Sequence, residues 1–489
     1  MKVLVVTGRL AAEEVKRAVK KFEDAEVFVA DVDVAAFVTP KHLRGLDLSK
    51  YDLVLLPGNA KGDWEKVERE TGVKVRLGSV HAADLPAVLR NLDRIELSHR
   101  TPACRLLSFV MAEEIIELVD SDRSGVEYAV EVGKAVIGEG RMKVVAEIVD
   151  APEMDRDELV EKVEYYSKNA DVIDVGIPVG CDAEKAVKAV KVVLDCFDSV
   201  SVDTFNEKVI EMCVEAGVHM VMSVGRENLK ALDIVRDQAV VIVSRNVGEL
   251  LELVNFARNK GKKVIADCIL DAPLSLFSSL ERYAEYRRRD KKTPMLFGAG
   301  NVTELCDADS IGMNALLALL AEEVGANAIF TTEASNKTRG SVMEARVATY
   351  MARAAKLRKS FPKDFGFSLL ALKEKTLKVA GELSYEEVVE AESGGFVRDP
   401  KGDFRIGIED GKVLAVHDSG VAIRGDAESV AKTAIRMGLI SRLDHAAYLG
   451  RELEKAEMAA RLGKSYVQDS ELDFGVYTAE NLDRLRRKQ

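Results

Sequence analysis

The sequence predicts a central (β/α)8 TIM barrel, with a three-layer α/β domain before it and a small α+β domain after it. Eight short apolar runs, each followed by a segment of helical period, succeed one another between about residues 141 and 360, and such regular alternation is typical of a barrel. A shorter alternation of the same kind precedes them, and a hairpin pattern followed by two helical patterns comes after Phe361-Pro362. The predicted domains are therefore 1–125, 141–360 and 361–489.

The composition is that of a globular protein with more than one domain. Its 489 residues exceed one ordinary domain, and an apolar content of 47% suffices for several cores. The net charge of −12 argues against nucleic-acid or anionic-membrane binding. Because no apolar run is long enough for a signal peptide or a membrane span, we expect a cytoplasmic protein. The abundance of Glu, Lys and Arg suggests a thermophile, and the six cysteines show no zinc-like spacing.

The first domain begins with strands that alternate with helical patterns. Its predicted strands are Lys2–Thr7, Ala25–Ala30 and Tyr51–Leu56. The loop 57–63 leaves the third strand at the edge where open α/β sheets bind ligands. It is either an anion-binding loop that uses Lys61 or a glycine turn with a solvated lysine, and we favour the turn. A helix is predicted over Ala112–Val119, and the charged, glycine-rich region 120–140 is interpreted as a connector.

The barrel strands are predicted from their apolar runs. They are Lys143–Val149, Asp171–Gly176, Ser199–Val202, His219–Val224, Ala239–Val243, Lys263–Ala266, Pro294–Phe297 and Asn327–Phe330. The clearest helices between them are Asp155–Asn169, Asp182–Cys196, Val247–Asn259 and Ser310–Val324. In such barrels the carboxyl ends of the strands share one mouth, where ligands bind.

Several polar side chains are expected at this mouth. They are Glu147, Asp150, Asp203, Ser223, Ser244, Asn246, Asp267, Asp271 and Asn301. A carboxylate accepts the adjacent N–H and NH₂ groups of a 2-amino-4-oxo pyrimidine edge much as it accepts the fork of an arginine, and Asp203 and Asp267 suit that task. Asp203 could instead cap the next helix, but two acids at matching strand ends favour ligand binding. For Glu147, Asp150 and Asp271 the two interpretations are equally supported, whereas Asn246 is interpreted as a helix cap.

The loop after the eighth strand is rich in cations and hydroxyl groups. Its candidate phosphate-binding residues are Ser335, Lys337, Thr338, Arg339 and Ser341. They precede a helix, and a helix N-terminus attracts anions. Barrels often bind phosphate around their last two strands. The alternative is a capped helix start with two solvated cations, and we favour the phosphate site.

Four segments resemble a known family. Asn169–Gly176, Ser201–Phe205, Ala216–Ser223 and Lys263–Asp267 resemble the second, third, fourth and sixth strands of dihydropteroate synthases and related pterin-binding methyltransferases. The whole chain is similar to the archaeal dihydropteroate synthase-related proteins, which are linked to tetrahydromethanopterin biosynthesis. The resemblance implies that Asp203 and Asp267 bind a pterin. Ser223 stands where the family has an asparagine.

The sequence departs from the synthases at two motifs. Gly298–Thr303 replaces a lysine-containing motif at the seventh strand and is more similar to the asparagine loop of the methyltransferases, so Asn301 is a further candidate pterin ligand. Thr331–Ser341 replaces an Arg-x-His motif after the eighth strand. These departures affect the expected reaction more than the expected binding of a pterin.

The resemblance implies a transferase that joins a dihydropterin-6-methyl diphosphate to an arylamine such as 4-(ribofuranosyl)aminobenzene 5′-phosphate, with release of pyrophosphate. The expected catalytic residues are Asp203, Asp267, Lys337 and Arg339, and Mg²⁺ is the expected cofactor, with no ligands assigned. The partners would be the pterin and the phosphorylated arylamine, and a homodimer is one assembly consistent with this. The acceptor's phosphate could use Lys61, Arg76 or His99-Arg100.

Two alternatives remain open. One is methyl transfer from a methyl-pterin to a corrinoid or another carrier, which the Gly298–Thr303 loop favours. The other is a non-catalytic pterin-binding or assembly subunit, which the two missing synthase motifs favour.

Overall fold

The protein is described here by a computed structural model that covers residues 1–375, 385–392, 394–395 and 397–477. The chain divides into two compact units, Met1–Ser384 and Tyr385–Gln489. The first unit contains an α/β domain and a barrel, and the second contains a small α+β domain. Among the described residues, none of the helices combines the length and apolar content that a membrane crossing requires.

The first domain is built on a four-stranded parallel sheet of order β2-β1-β3-β4. Its strands are β1 Val3–Thr7, β2 Ala25–Val29, β3 Leu53–Leu56 and β4 Lys74–Leu77, and its helices are α1 Ala12–Val19, α2 Trp64–Thr71, α3 Leu85–Arg90 and α4 Ala103–Asp120. One core cluster contains Trp64 of α2 and another contains Leu85 of α3, and each includes residues of β1 and β3. The predicted three-layer arrangement is confirmed. The sequence analysis missed β4 because Lys74 and Arg76 interrupt its apolar pattern.

The region 120–140 is not a mere connector, and that interpretation was wrong. It forms an antiparallel hairpin of β5 Gly125–Val132 and β6 Ala135–Glu139. Val130, Val132 and Ile137 are buried in one cluster with residues near the start of the barrel strands. The hairpin therefore closes the amino-terminal end of the barrel. Gly133 makes the turn at φ +58°, where a Cβ would lie 1.9 Å from the Asp198 carbonyl oxygen, so a larger residue does not fit.

The barrel has eight parallel strands and is closed by pairing between its last and first strands. The strands are β7 Lys143–Ile148, β8 Val172–Gly176, β9 Val200–Asp203, β10 Met220–Val224, β11 Ala239–Val243, β12 Lys263–Asp267, β13 Met295–Gly298 and β14 Ala328–Thr332. The helices are α5 Arg156–Ser167, α6 Ala183–Cys196, α7 Glu207–Ala216, α8 Ala231–Ile234, α9 Val247–Asn259, α10 Leu276–Arg289, α11 Gly300–Thr303, α12 Ser310–Val324 and α13 Ser341–Arg358. The predicted TIM barrel is confirmed, with all eight strands in the predicted order.

Alternation along the strands decides which side chains enter the barrel. In β7, Val144, Ala146 and Ile148 belong to the cluster that packs against the surrounding helices, whereas Val145 belongs to the inner cluster. Because strand side chains alternate between faces, Glu147 shares the inner face with Val145. The same parity places Asp174, after inner Val172, inside the barrel. The alternation of side chains along β7 and β8 therefore directs Glu147 and Asp174 into the barrel interior.

The second unit is an α+β domain, as predicted. Its strands β15 Phe404–Glu409, β16 Lys412–His417 and β17 Ala422–Gly425 form an antiparallel sheet, followed by α14 Ala427–Arg436 and α15 Leu443–Leu462. Asp410 and Gly411 both have positive φ, 49° and 69°, which fits the predicted two-residue hairpin turn. The strand β17 was not predicted. Residues 478–489 of the predicted domain lie outside the described residues.

Candidate functional site

A cavity of about 460 Å³ opens at the carboxyl ends of β7, β8 and β9. Glu147, Asp150 and Asp203 give it an acidic side, while Pro178, Val179 and Phe205 belong to an apolar side. Val179 and Phe205 are exposed, so their apolar surface is open to an incoming molecule. A cavity with a few fixed polar groups and apolar walls suits a flat ring whose edge carries hydrogen-bond donors.

Asp267, the last residue of β12, is held in place before any ligand arrives. Its Oδ1 accepts hydrogen bonds from the Tyr283 hydroxyl at 2.7 Å and from the Ile269 backbone N–H at 2.8 Å. Its Oδ2 accepts no hydrogen bond from the residues that the structure describes. Burial raises the pKa of Asp267 to about 6, although both hydrogen bonds act in the opposite direction. The side chain is thus an oriented acceptor with one oxygen to spare.

Asp203 and Ser223 lie together, as the sequence predicted for the pterin residues. Asp203 ends β9, and burial raises its pKa while the neighbouring Ser223 hydroxyl lowers it. The helix-capping alternative for Asp203 is wrong, because α7 is capped by Asn206, whose Oδ1 accepts from the Lys208 and Val209 backbone N–H groups. The Asp203 carboxylate is therefore free of a local structural task.

A third carboxylate, Asp174, lies beside these residues and was not predicted as part of the site. One oxygen each of Glu147, Asp174 and Asp203 lies within 4.8 Å of the others. Asp174 is fully buried; its Oδ1 accepts from the Ser201 hydroxyl at 2.5 Å, and its Oδ2 has no partner. A charged residue inside the buried run Val172–Gly176 was the sequence signal that could have found it.

Burial raises the pKa of all three carboxyls, and neighbouring acids raise those of Glu147 and Asp174 further. Burial, followed by the charges of Asp203 and Asp150, raises the pKa of Glu147 to about 7. Burial and the charges of Asp203 and Glu147 raise the pKa of Asp174 well above its usual value. Among the described residues, no lysine or arginine forms an ion pair with any of the three. The group therefore favours a bound proton, a donor-rich ligand or a cation.

The five predicted phosphate residues occur together, but most of their polar groups are occupied. Glu304, which follows α11, accepts hydrogen bonds from the hydroxyls of Ser335 and Thr338, both at 2.6 Å. Ser341 is fully buried and accepts from Asn314. Lys337 pairs with the exposed Asp307 at 2.9 Å. The hydroxyls are thus directed to a carboxylate, and Asp307 offsets the positive charge of Lys337, which keeps N–H donors for a second acceptor.

Arg339 is the predicted phosphate residue that stays available. It is exposed, and its side chain makes no hydrogen bond or ion pair within the ranges that the structure describes. It follows the short turn Asn336–Thr338 and precedes α13. A free guanidinium is suited to bind a phosphate with two parallel hydrogen bonds.

The remaining mouth residues have structural partners. The Asn301 amide donates to the Leu270 carbonyl at 2.9 Å. Asn246 caps α9, as predicted. Asp271 accepts from Arg245 and Arg282, so its carboxylate is bound on both oxygens.

The cations of the first domain differ in how free they are. Arg76 donates to Glu68 and lies 2.7 Å from His99 Nε2, which leaves it little capacity for a second anion. Lys61 is exposed on the loop after β3. Arg100 is likewise exposed, and only its backbone N–H is hydrogen-bonded within the described part of the chain, so Lys61 and Arg100 are less committed than Arg76.

Comparison with known proteins gives one extensive relationship. The chain is 38% identical, over 523 aligned positions, to the uncharacterized protein MJ0107 of Methanocaldococcus jannaschii, covering 96% of this chain and 99% of that protein. Residues 398–469 match a family model described as PterinBD-DUF4346.

Solved dihydropteroate synthases match about half of the chain. The enzyme of Thermus thermophilus in complex with 6HMPPP is 16% identical, covers 47% of this chain and 99% of its own, and has a TM-score of 0.38. The enzyme of Vibrio fischeri is 15% identical with the same coverage and a TM-score of 0.39. That of Yersinia pestis with a pterine-sulfa conjugate is 16% identical, again with the same coverage, at 0.37.

Proposed function

The chain belongs to the family of the Methanocaldococcus jannaschii protein MJ0107, and we propose that its barrel binds a pterin and joins it to an arylamine, as a dihydropteroate synthase-like transferase. The observation that carries the proposal is the pair of inward carboxylates, Asp203 and Asp267, that end β9 and β12. The proposed substrate is a dihydropterin-6-methyl diphosphate. The proposed acceptor is an arylamine such as 4-(ribofuranosyl)aminobenzene 5′-phosphate, in tetrahydromethanopterin biosynthesis.

Asp267 is the better fitted of the two acids to hold the pterin edge. Tyr283 and the Ile269 backbone N–H fix one oxygen and leave the other directed elsewhere. A carboxylate in this state can accept from the ring N–H and the adjacent NH₂ of a 2-amino-4-oxo pyrimidine. Asp203, with Ser223 as its neighbour, would contact another polar edge of the same ring. The apolar side of the cavity, with Phe205, would cover the ring face.

In the proposed reaction the methylene carbon exchanges one bond for another. Its bond to the diphosphate oxygen breaks, and the electron pair leaves with pyrophosphate. The amine nitrogen forms the new carbon–nitrogen bond and then loses a proton to solvent. Arg339 and Lys337 are the cations proposed to stabilise the departing charge. Mg²⁺ is part of the proposal, because a divalent cation neutralises such charge when bound and prefers the oxygen ligands that this mouth offers.

Pyrophosphate release tests the proposal. The full chain is mixed with Mg²⁺, the dihydropterin diphosphate and either 4-aminobenzoate or its ribofuranosyl phosphate analogue, and the coupled product is identified by mass. We expect amine-dependent release that falls at least 100-fold in Asp267→Ala and stays within two-fold in Asp195→Ala, a matched change on the exposed face of α6. Release that is absent with both amines, or equal in the two variants, would refute the transferase proposal.

A second candidate function is pterin binding without pyrophosphate chemistry, either for methyl transfer to a corrinoid or as a binding subunit. It is favoured by the loop after β14, where Glu304 accepts from the hydroxyls and Asp307 pairs with Lys337. Both arrangements disfavour a diphosphate, because they place carboxylates next to the groups that would bind it. Micromolar binding of a methyl-pterin to the full chain, with no turnover of the diphosphate and either amine, would select this function.

A further inference from the structure

We propose that Glu147, Asp174 and Asp203 bind one divalent cation on the inner face of the barrel. The three residues come from three neighbouring strands. Glu147 of β7 is paired in register with Asp174 of β8, and Asp203 of β9 is paired with Gly176, two residues further along β8. Side chains at paired positions of neighbouring strands lie side by side on one face. The register of the barrel therefore brings the three carboxylates together.

The backbone at Gly176 makes room for this group. A Cβ built on Gly176 would lie 2.7 Å from Glu147 Oε1. The glycine therefore leaves the Glu147 carboxylate room to extend across β8 towards Asp203, where a larger residue would displace it. One oxygen from each of the three acids then lies within 4.8 Å of the others, a spacing that a single ion can bridge. The fold thus holds three like charges close together where repulsion would otherwise separate them.

A second observation, the unpartnered oxygen of Asp174, points to a ligand at this place. Asp174 has no exposed surface, and its Oδ2 has no hydrogen-bond partner, while Oδ1 is held by Ser201. Buried polar atoms are nearly always satisfied, so such an atom calls for a missing partner. Among the described residues no lysine or arginine side chain contacts these acids. A cation satisfies all three carboxylates at once, whereas one shared proton satisfies two.

The ligand set indicates the class of cation. All three donors are carboxylate oxygens, with no cysteine or histidine in the group, and such sets select hard cations such as Mg²⁺, Mn²⁺ or Ca²⁺. Three carboxylates that each give one oxygen leave open positions on a six-coordinate ion. Glu147 and Asp203 also line the mouth cavity, so those positions would face it. The site would offer a cation to the anionic oxygen of a bound molecule.

The test is direct binding of Mn²⁺ to the full chain after removal of metals with a chelator. Free Mn²⁺ is counted by its electron paramagnetic resonance signal, with no pterin present. We expect one saturable site per chain, at least ten-fold weaker binding in Asp174→Asn and Glu147→Gln, and competition by Mg²⁺. The matched control is Asp195→Asn, which removes the same charge from the exposed face of α6, away from the cavity lining, and should change the affinity less than two-fold.

Thermal unfolding gives a second readout that does not depend on activity. Asp174→Asn removes a buried charge without changing shape, so the variant should fold and unfold in chelator at or above the wild-type temperature. Mn²⁺ should raise the unfolding temperature of the wild type and of Asp195→Asn but not of Asp174→Asn. Two outcomes would overturn the proposal: no saturable site below millimolar Mn²⁺, which means that the acids hold protons, or equal binding in all variants. Because Asp203 also belongs to the proposed pterin site, pterin binding is measured separately in the same variants, and its loss in Asp267→Ala alone would leave the cation site standing.

Discussion

The Tyr283 hydroxyl donates a 2.7 Å hydrogen bond to Asp267 Oδ1. Tyr283 is fully buried in α10, the helix that follows the strand ending in Asp267, and its ring packs on Phe297 with 5.0 Å between centroids. The helix of one βα unit thus orients the carboxylate of the strand that precedes it. Because this carboxylate is already ordered before a ligand binds, binding loses less side-chain entropy. The arrangement therefore favours recognition of a rigid edge that carries hydrogen-bond donors.

Replacing Tyr283 by phenylalanine should weaken pterin binding without unfolding the barrel. Loss of the donor destabilises the charged form of Asp267 and releases its orientation. We expect a pterin dissociation constant about ten-fold higher at pH 7 and a loss of about 1 kcal/mol in the free energy of unfolding. Fluorescence titration with a pterin and urea denaturation measure the two quantities.

The matched control for this change lies one turn away. The Tyr286 hydroxyl, equally buried in α10, donates to Asp290 Oδ2 at 3.1 Å near the other end of the barrel. Tyr286→Phe should cost a similar free energy of unfolding and leave pterin affinity unchanged. Equal effects of the two variants on affinity would show that Tyr283 acts through stability alone.

Asp267 should make the stability of the protein depend on pH. Its pKa is about 6 in the folded chain against 3.8 ordinarily, so between these values the folded state binds more protons than the unfolded state. The free energy of unfolding should therefore fall as pH rises from 4 to 6, by at most about 3 kcal/mol from this group. Asp267→Asn should become more stable relative to the wild type across that window, as followed by urea denaturation. An unchanged difference between pH 4 and pH 7 would contradict the shifted pKa.

The same ionisation should govern ligand binding in the opposite direction. Pterin affinity should increase as pH rises through about 6, because only the charged carboxylate accepts both donors of the ring edge. Asp267→Asn should bind weakly and without this pH dependence. A wild-type affinity that is constant between pH 5 and pH 7.5 would show that Asp267 does not bind the pterin.

The sequence could predict the barrel because each strand is a short apolar run with a polar or glycine residue at its end or within the next two positions. It could also predict that Asp203 and Asp267 lie at the ends of their strands, since the carboxyl ends of barrel strands share one mouth. It could not predict that Glu304 would accept from Ser335 and Thr338, because that contact joins two loops more than thirty residues apart. Tyr283 was missed for the same reason, since α10 gives no sign of which buried tyrosine reaches a carboxylate.

Lys337 and Asp307 provide a test of phosphate binding by the last loop. Their ion pair is exposed on the Asp307 side, where 99% of the side chain is accessible, so breaking it should change the free energy of unfolding by less than about 0.5 kcal/mol. If Lys337 binds pyrophosphate, Asp307→Ala should tighten that binding about three-fold and Lys337→Ala should weaken it about ten-fold. Calorimetry at low salt distinguishes these results. Identical affinities in both variants and the wild type would favour the function without pyrophosphate.

A buried ion cluster at the opposite end of the barrel should be far more sensitive to substitution than the Lys337–Asp307 pair. Asp171, just before β8, accepts from Arg141 at 2.6 and 2.9 Å and from Arg346 at 2.7 Å, and the Arg141 side chain is only 7% exposed. Burial acts to raise the pKa of Asp171, but the two arginines lower it overall. Its stabilising contribution is therefore complete above the usual aspartate range and is lost as pH falls below about 4.

Asp171→Asn should lower the free energy of unfolding at pH 7 by about 3 to 5 kcal/mol, because it leaves a buried arginine without its counter-charge. The matched control is Asp198→Asn, which breaks an exposed pair with Lys134 at the same end of the barrel and should cost less than about 1 kcal/mol. Urea denaturation at pH 7 and pH 3.5 measures both, and the deficit of Asp171→Asn should begin to shrink at the lower pH, where Asp171 of the wild type is protonated in the unfolded state but still charged in the folded state. A deficit below about 1 kcal/mol at pH 7 would mean that solvent reaches Arg141 and replaces the lost charge.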